Sequence, residues 1–351
     1  MHLKSLYLRN FRNYAEAEIH FSPKLNVLHG ENAQGKTNLL EAIYLVATGR
    51  SFRAQQLQEL IREGQPFFFI EAILLKEEIE HKLQISFDGE TKKLVLDGNA
   101  YGTLQHLLGL LPSVLYTPSD AELADGSPMA RRRFLNLHLA QRDPLYIHHL
   151  SRFWRAMKQR NTLLRQKKGD GIECWEVEMA SSAAYLLQTR QALITELKAP
   201  LEQISQRLSS TRETHEIRFQ PSYPLEGYLA QLQRNRGREQ HLGLTLTGPH
   251  RDDFSLLINS KQTRGFASEG QKKTAVASLR LSEWELLTKT AEVPAVLGID
   301  DLGLHLDEMR SALLTTALAS LGQVFVTAPH LPSGLSDAKR FRVTSGKVLD
   351  E

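Results

Sequence analysis

Apolar and polar residues alternate through LKSLYLRNF and EAEIHFS and then close into KLNVLHG, a pattern of period two that predicts three strands. A glycine-bearing loop follows, and then KTNLLEAIYLVATG carries its apolar residues at helical spacing. Further strands are predicted at PFFFIEAILL, EHKLQISFD and KKLVLDG, with Asp88, Gly89, Asp97, Gly98 and Asn99 turning the chain between them as hairpins. From about Pro128 to Leu208 the period changes. LSRFWRAMKQRNTLLRQ and WEVEMASSAAYLLQTRQALITELKAPLEQISQRL place apolar residues three and four apart, and KKGDG breaks them into an antiparallel helical pair. From about His215 the mixed pattern returns in EIRFQ, DFSLLIN, a helix after Ser268, AVLGID, a helix near DEMRSALLTTALASL, QVFVTA and KRFRVTSGKVL.

Two α/β segments flanking a helical one predict a discontinuous head, residues 1–127 and 213–351, interrupted by a helical insertion over 128–212. The length of 351 residues suits this division. With 41% apolar and 24% charged residues the composition is that of an ordinary globular protein, and no apolar run approaches the roughly 20 residues that span a bilayer. The N-terminus MHLKSLYLRNF reads directly as strand rather than as a secretory signal, and the single cysteine, Cys174, suits a reducing compartment. A soluble, cytoplasmic protein without a membrane partner is expected. The net charge of +3 is too small to indicate a polyanionic partner by itself.

The chemistry concentrates in GENAQGKT: Gly30, Glu31, Asn32, Ala33, Gln34, Gly35, Lys36 and Thr37 match GxxxxGKT between a strand and a helix. Glycines let backbone N–H groups surround a β-phosphate, Lys36 reaches the β- and γ-phosphates, and the Thr37 hydroxyl holds Mg²⁺. ATP and Mg²⁺ are therefore the expected cofactors. The strand AVLGIDDL ends in two carboxylates. Asp300 is expected in the Mg²⁺ shell with Thr37, and Asp301, beside the γ-phosphate, is expected with Lys36 to act catalytically by orienting or deprotonating water.

The ordered set LRNFRNY, GENAQGKTNLLEAIYLVATGRSFR, YTPSDAELADGSPMARRRFLN, TGPHRDDF, FASEGQKKTA and GIDDLGLHLD resembles the RecF recombination mediators, bacterial relatives of Rad50 and SMC heads. The resemblance covers nearly the whole chain and is least distinct between about residues 170 and 240. It implies an α/β fold, an ABC-type P-loop ATPase head with a helical insertion domain. It also implies a nucleotide-gated homodimer in which Ser268, Gly270 and Gln271 of one subunit contact ATP held by the other, with Arg12 added to the nucleotide shell. The implied activity is slow, DNA-stimulated ATP hydrolysis that acts as a switch. The implied partners are duplex and gapped DNA, RecR with RecO, and indirectly RecA.

Other positions admit two readings. In TGPHRDDF, Arg251 and the adjacent acids lie near the nucleotide or dimer surface by resemblance, or form a salt-bridged turn by composition. The motif is no kinase loop, because Leu257 stands where asparagine would be needed. His330 after QVFVTA is either a γ-phosphate switch or a surface residue. Leu304 and His305 stand where related heads carry serine and glutamate, with Leu306 and Asp307 keeping the leucine and aspartate that follow, and Ser119 stands where a glutamate is common. For DNA, Arg131, Arg132, Arg133, Arg152, Arg155 and Lys158 are the expected phosphate contacts, against a reading as a solvated helix face. A mechanically bridging SMC-like or nuclease-associated ATPase is the alternative function, opposed by the shortness of the helical insertion.

Overall fold

Alternation in the first hundred residues builds β1 (His2–Phe11), β2 (Tyr14–His20), β4 (Phe68–Lys76), β5 (Ile79–Phe87), β6 (Lys92–Leu96) and β7 (Asn99–Tyr101), after β3 (Leu25–His29) and α1 (Lys36–Thr48) have branched into a second layer. The six strands form an antiparallel sheet in the order β2-β1-β4-β5-β6-β7. Phe68, Ile70, Ala72 and Leu74 of β4 all bury one face, as period two requires. In β1 the buried residues step from Leu3 to Leu6, an odd interval, and a register shift between Leu3 and Ser5 keeps both on the core side.

The second sheet runs β15-β14-β3-β13-β12-β8, where β8 is Ser113–Tyr116, β12 Val296–Ile299, β13 Val324–Ala328, β14 Lys339–Thr344 and β15 Lys347–Asp350. All neighbours are parallel except β14 and β15. β12 and β13 are buried at every position and β3 at all but its last. That explains why VLGI and VFV read as continuous apolar runs, while Asn26 in β3 and Thr327 in β13 are buried polar residues. Parallel pairing brings the carboxyl ends of β3, β13 and β12 side by side, and the candidate chemistry hangs from those three ends.

In this computed structural model, which describes residues 1–167, 170–208, 213–291, 293–302, 318, 321–331, 335 and 337–351, the chain divides into two compact units. One comprises Met1–Asp120, Gln206–Arg212 and Val276–Glu351; the other comprises Ala121–Ser205 and Glu213–Ala275. The second unit contains α2 (Glu122–Asp125), α3 (Pro128–Arg142), α4 (Pro144–Arg165) and most of α5 (Ile172–Leu208). It also contains β9 (His215–Gln220), α6 (Tyr228–Leu242), β10 (Asp253–Ile258), β11 (Lys261–Gln262), α7 (Thr263–Phe266) and the first turns of α8 (Glu269–Ala291). The expected helix near DEMRSALLTTALASL, and the Leu304–Asp307 segment, lie outside the described residues.

α4 starts where Asp143 accepts a hydrogen bond from Leu145 N–H and Pro144 fixes the first turn. It runs antiparallel to α5: Arg152 pairs with Glu178, Arg160 with Glu176, and Asp143 accepts from the Tyr185 hydroxyl. Arg160 is fully buried, and it also meets Glu239 at 2.7 Å and Thr245 Oγ1 at 2.9 Å. Arg190, likewise buried, donates to Asp252, the Pro249 carbonyl, Tyr146 and Asn136. The helical unit therefore has other bounds than the 128–212 expected from the sequence pattern, with 206–212 grouped in the first unit. It starts at residue 121 and takes in 213–275, because Asp252, Asp253 and Thr245 neutralise or bond arginines of α3, α4 and α5.

His250 lies in the same unit, stacked on Phe153 at 5.8 Å, with Nε2–H donating to the Thr245 carbonyl at 3.1 Å. Burial pushes its pKa down to about 4. The unfolded chain takes up a proton near pH 6.5 that the native imidazole refuses until about pH 4, so this stabilisation is present above pH 6.5 and is lost as pH falls through that window. We expect urea unfolding to lose on the order of 3 kcal/mol more in the parent than in His250→Phe between pH 7 and pH 4. Parallel pH profiles for the two proteins would contradict the assignment.

Candidate nucleotide site and its surroundings

β3 ends at His29 and the chain enters α1 through Gly30–Gly35. Gly30 at φ 145° and Gly35 at φ 121° adopt backbone that side chains disfavour. A Cβ on Gly30 would lie 2.3 Å from the Val343 carbonyl oxygen, and one on Gly35 would lie 2.7 Å from the Asn13 side chain. Glycine is thus required twice, by approach as well as by torsion. No side chain caps the start of α1, so its first N–H groups and the positive end of its dipole face the loop. Outer contacts brace the loop: Asn13 Nδ2 donates to the Gln34 carbonyl at 2.9 Å, the Tyr14 hydroxyl to the Gly35 carbonyl at 2.9 Å, and Gly346 N–H to the Gln34 carbonyl at 3.0 Å. Glu31, Asn32 and Ala33 are exposed. A phosphate fits this cradle by its backbone donors and its dipole.

Lys36 is buried and bends back across the loop, its Nζ donating to the carbonyls of Gly30 at 2.6 Å and Glu31 at 2.8 Å. Desolvation lowers its pKa, opposed by the charges of Asp301 and Asp300. Thr37 Oγ1 donates to Asp300 Oδ1 at 2.9 Å, and Thr327 Oγ1 donates to the same oxygen at 2.8 Å. Burial raises the Asp300 pKa against the pull of both hydroxyls. Thr37 and Asp300 thus supply adjacent hard oxygens, a donor set that suits Mg²⁺ beside phosphate. Among the described residues no group of three or more histidine, cysteine or acidic side chains could hold a metal by itself. Asp301 follows in a left-handed turn at φ 56°, with its N–H held at 2.8 Å by Thr327 Oγ1. His330 is exposed, two residues beyond the end of β13, the strand between β3 and β12.

The Arg12 guanidinium grips Glu41 of α1 through two bonds of 2.8 Å and donates to the Glu59 carbonyl at 2.8 Å. Glu41 is fully buried and also accepts from Ser51 Oγ. The pair locks the turn between β1 and β2 to α1, and that turn carries Asn13 and Tyr14 to the loop. Asn13, Tyr14 and Thr327 escaped the sequence reading. A polar Asn-Tyr pair in a predicted turn between strands, and a threonine within the otherwise apolar VFVTA, are the signals that could have found them.

In the second unit Ser268 caps α8 reciprocally. Its N–H donates to Gln271 Oε1 at 2.8 Å, and Gln271 N–H donates to Ser268 Oγ at 3.3 Å. Ser268 and Glu269 are exposed, Gly270 and Gln271 half-buried, and Phe266 is 76% exposed just before them. Gln271 Nε2 also donates to Glu213 at 2.7 Å. Lys272 is paired with Asp125 and Glu269, both at 2.8 Å.

The basic residues separate by environment. Arg131 is 6% exposed and bidentate to Asp253 at 2.7 and 2.9 Å, so a free phosphate contact through it does not hold. Arg132 is half-buried and donates to the Asp252 carbonyl. Arg152 is half-buried and paired with Glu178. Arg133, Arg155 and Lys158 are exposed. TGPHRDDF is largely a salt-bridged turn, with Asp252 on Arg190 and Asp253 on Arg131, while Arg251 is exposed. Ser119 Oγ meets Thr117 Oγ1 at 2.8 Å, and neighbouring Asp120 holds Arg280 within the first unit.

The family model described as RecF/RecN/SMC N terminal domain matches residues 2–343. The chain is 44% identical over 336 residues to the DNA replication and repair protein RecF of Protochlamydia amoebophila, covering 93% of this chain and 94% of that one. It is 38% identical to the protein of that name from Chlamydia caviae, covering 99% and 98%. A solved structure of the recombination mediator protein RecF-ATP in the RecFOR pathway superposes with a TM-score of 0.92 at 28% identity, over 99% of this chain and 97% of that one. An SMC head bound to the C-terminal winged-helix domain of ScpA shares the fold at TM-score 0.61 and 16% identity, over 100% and 98%.

Removing Arg12 strands the Glu41 carboxylate in the core with Ser51 as its remaining bond. Arg12→Ala should cost about 3 kcal/mol in urea unfolding, while the joint replacement Arg12→Met with Glu41→Leu should restore most of it. A single-mutant loss below about 1 kcal/mol would show that the pair does not hold the turn.

Proposed function

The chain belongs to the RecF family, with an ABC-type P-loop ATPase head and a helical insertion, and on that premise we propose that it is an ATP-switched DNA-binding mediator of recombinational repair. The observation that carries this reading is the shared Asp300 oxygen. It joins the P-loop threonine to the second carboxylate strand at 2.9 Å within a glycine cradle. ATP is held by the Gly30–Thr37 backbone, and Lys36 exchanges its two carbonyl partners for phosphate oxygens. Thr37 and Asp300 hold Mg²⁺, which supplies charge neutralisation at the phosphates when bound.

Ser268, Gly270 and Gln271, exposed or half-buried at the start of α8, close over the nucleotide of a second copy, so ATP joins two chains and its hydrolysis parts them. Asp301 positions water. It is one methylene shorter than the glutamate common in ABC ATPases, which suits a slow timer rather than a fast enzyme. Duplex DNA next to a single-strand gap is contacted through Arg133, Arg155 and Lys158, with Arg152 and Arg132 adding charge from partly buried positions. RecR with RecO is the adaptor through which RecA is loaded. Among the described residues no helix is long and apolar enough to cross a membrane.

Lys36→Ala should abolish the ATP-dependent increase in sedimentation coefficient shown by the parent protein; a retained increase would remove the P-loop from the switch. Reversing Arg133, Arg155 and Lys158 to glutamate should weaken duplex binding and reduce the slope of log K against log salt by about 2 to 3. Identical slopes would show that these side chains touch no phosphate.

A further inference from the structure

Trp154 lies on α4 with 46% of its surface exposed, although Phe153 beside it is fully buried. The indole is braced from within. Phe153 meets it edge-on at 6.4 Å, His250 meets it edge-on at 6.3 Å, and Phe153 and His250 stack on one another at 5.8 Å. Such a ring is held as a platform rather than left to swing, which reduces the ordering cost of placing a flat ligand on it.

Its surroundings are cationic. Arg155 and Lys158 are exposed on the same helix, next to Trp154 and one turn beyond it, and exposed Arg251 follows His250 in the chain. The acids of α5 facing α4 are already engaged: Glu178 with Arg152, and Glu176 with Arg160 and Arg236. Burial and, more weakly, the charges of Arg251, Arg132 and Arg190 keep a proton off His250 against the pull of the Thr245 carbonyl, so the ring that supports Trp154 is itself uncharged near neutral pH. An apolar aromatic face rimmed by positive charge matches a ligand that presents a flat base and a phosphate on each side.

We propose that Trp154 is a stacking platform for an unpaired base of single-stranded DNA, with Arg155, Lys158 and Arg251 receiving the flanking phosphates. The inference rests on the DNA-binding reading above and adds strand selectivity to it. In a duplex each base face is covered by its neighbours, whereas beside a gap the first unpaired base offers a free face. The platform would turn general phosphate affinity into a preference for the junction.

The test compares the full-length parent, Trp154→Ala and Trp154→Phe on a blunt duplex and on the same duplex carrying an oligo-dT gap, at one salt concentration. Trp154→Ala should weaken gapped-DNA binding about tenfold and leave blunt-duplex affinity unchanged, while Trp154→Phe should stay within about threefold of the parent on both. In a Trp175→Phe, Trp284→Phe background, oligo-dT should quench the remaining indole fluorescence. Equal losses on both DNAs, or unchanged gapped-DNA binding without quenching, would overturn the stacking role while leaving duplex binding standing. A parent that binds neither DNA would overturn both readings. Loss of binding to purified RecR in Trp154→Ala with DNA affinities intact would place the ring at a protein interface and overturn the proposal.

Discussion

One carboxylate oxygen ties the nucleotide site together. Asp300 Oδ1 accepts from Thr37 at 2.9 Å and from Thr327 at 2.8 Å, so the first turn of α1, the end of β12 and the end of β13 converge on a single atom. A buried carboxylate is unfavourable unless its acceptors are used, and here two hydroxyls use one of them. The same Thr327 oxygen accepts from Asp301 N–H and fixes the left-handed turn that sets the second acid apart from the first. The parallel sheet makes this possible: with β13 between β3 and β12, the three strand ends open on one edge and the helix dipole points at the same place. Two consecutive aspartates therefore acquire different environments, one desolvated against hydroxyls and one half-open beside Lys36.

The helical unit is organised by a different constraint, the cost of burying guanidinium groups. Arg160 and Arg190 are both almost completely enclosed, and each is matched by acids and carbonyls from segments far along the chain. Such pairs add little net stability compared with apolar packing, but removing one partner is expensive, so they fix which segments assemble. This explains why β9, β10 and α6 join α3, α4 and α5 in one unit. It also determines which cations remain for DNA. Positive charge used to neutralise Asp252, Asp253, Glu176 and Glu239 cannot also neutralise a phosphate backbone, and the exposed remainder is a shorter set than the basic run suggests.

This division marks the limit of what the sequence could convey. GENAQGKT was legible because its demands are local: a strand, a turn needing glycine at two positions, then a helix, all within one stretch. The acidic end of VLGID and the antiparallel helices were legible for the same reason, through continuous burial and period. Arg131, Arg152 and Arg155 look alike in sequence, yet Arg131 is bonded to an acid 122 residues away and Arg155 is exposed. Nothing in local spacing reports a partner at that distance. The bond from Arg12 to Glu41 was hidden similarly, since Glu41 lies inside a helix whose apolar pattern conceals a buried acid. The extent of the helical unit was missed because unit membership of 213–275 follows from those ion pairs and not from a change in period.

The N-terminus of α8 shows how a satisfied structural motif can still serve a binding role. Ser268 and Gln271 bond one another reciprocally, which would end the matter if all the donors of the first turn were used. The two bonds are unequal: the one accepted by Gln271 is 2.8 Å, whereas the one accepted by Ser268 Oγ is 3.3 Å and lies at the long limit for such a contact. The hydroxyl is therefore the weaker-held partner, and it is exposed. Lys272, next in sequence to the cap, is neutralised by Asp125 and Glu269, so it adds little net charge there. In the proposed dimer the pull on a phosphate of the second copy then comes mainly from the helix end and the serine hydroxyl. Those are short-range, directional groups, and they favour closure only when a phosphate reaches them, which is the behaviour a nucleotide-dependent clasp requires.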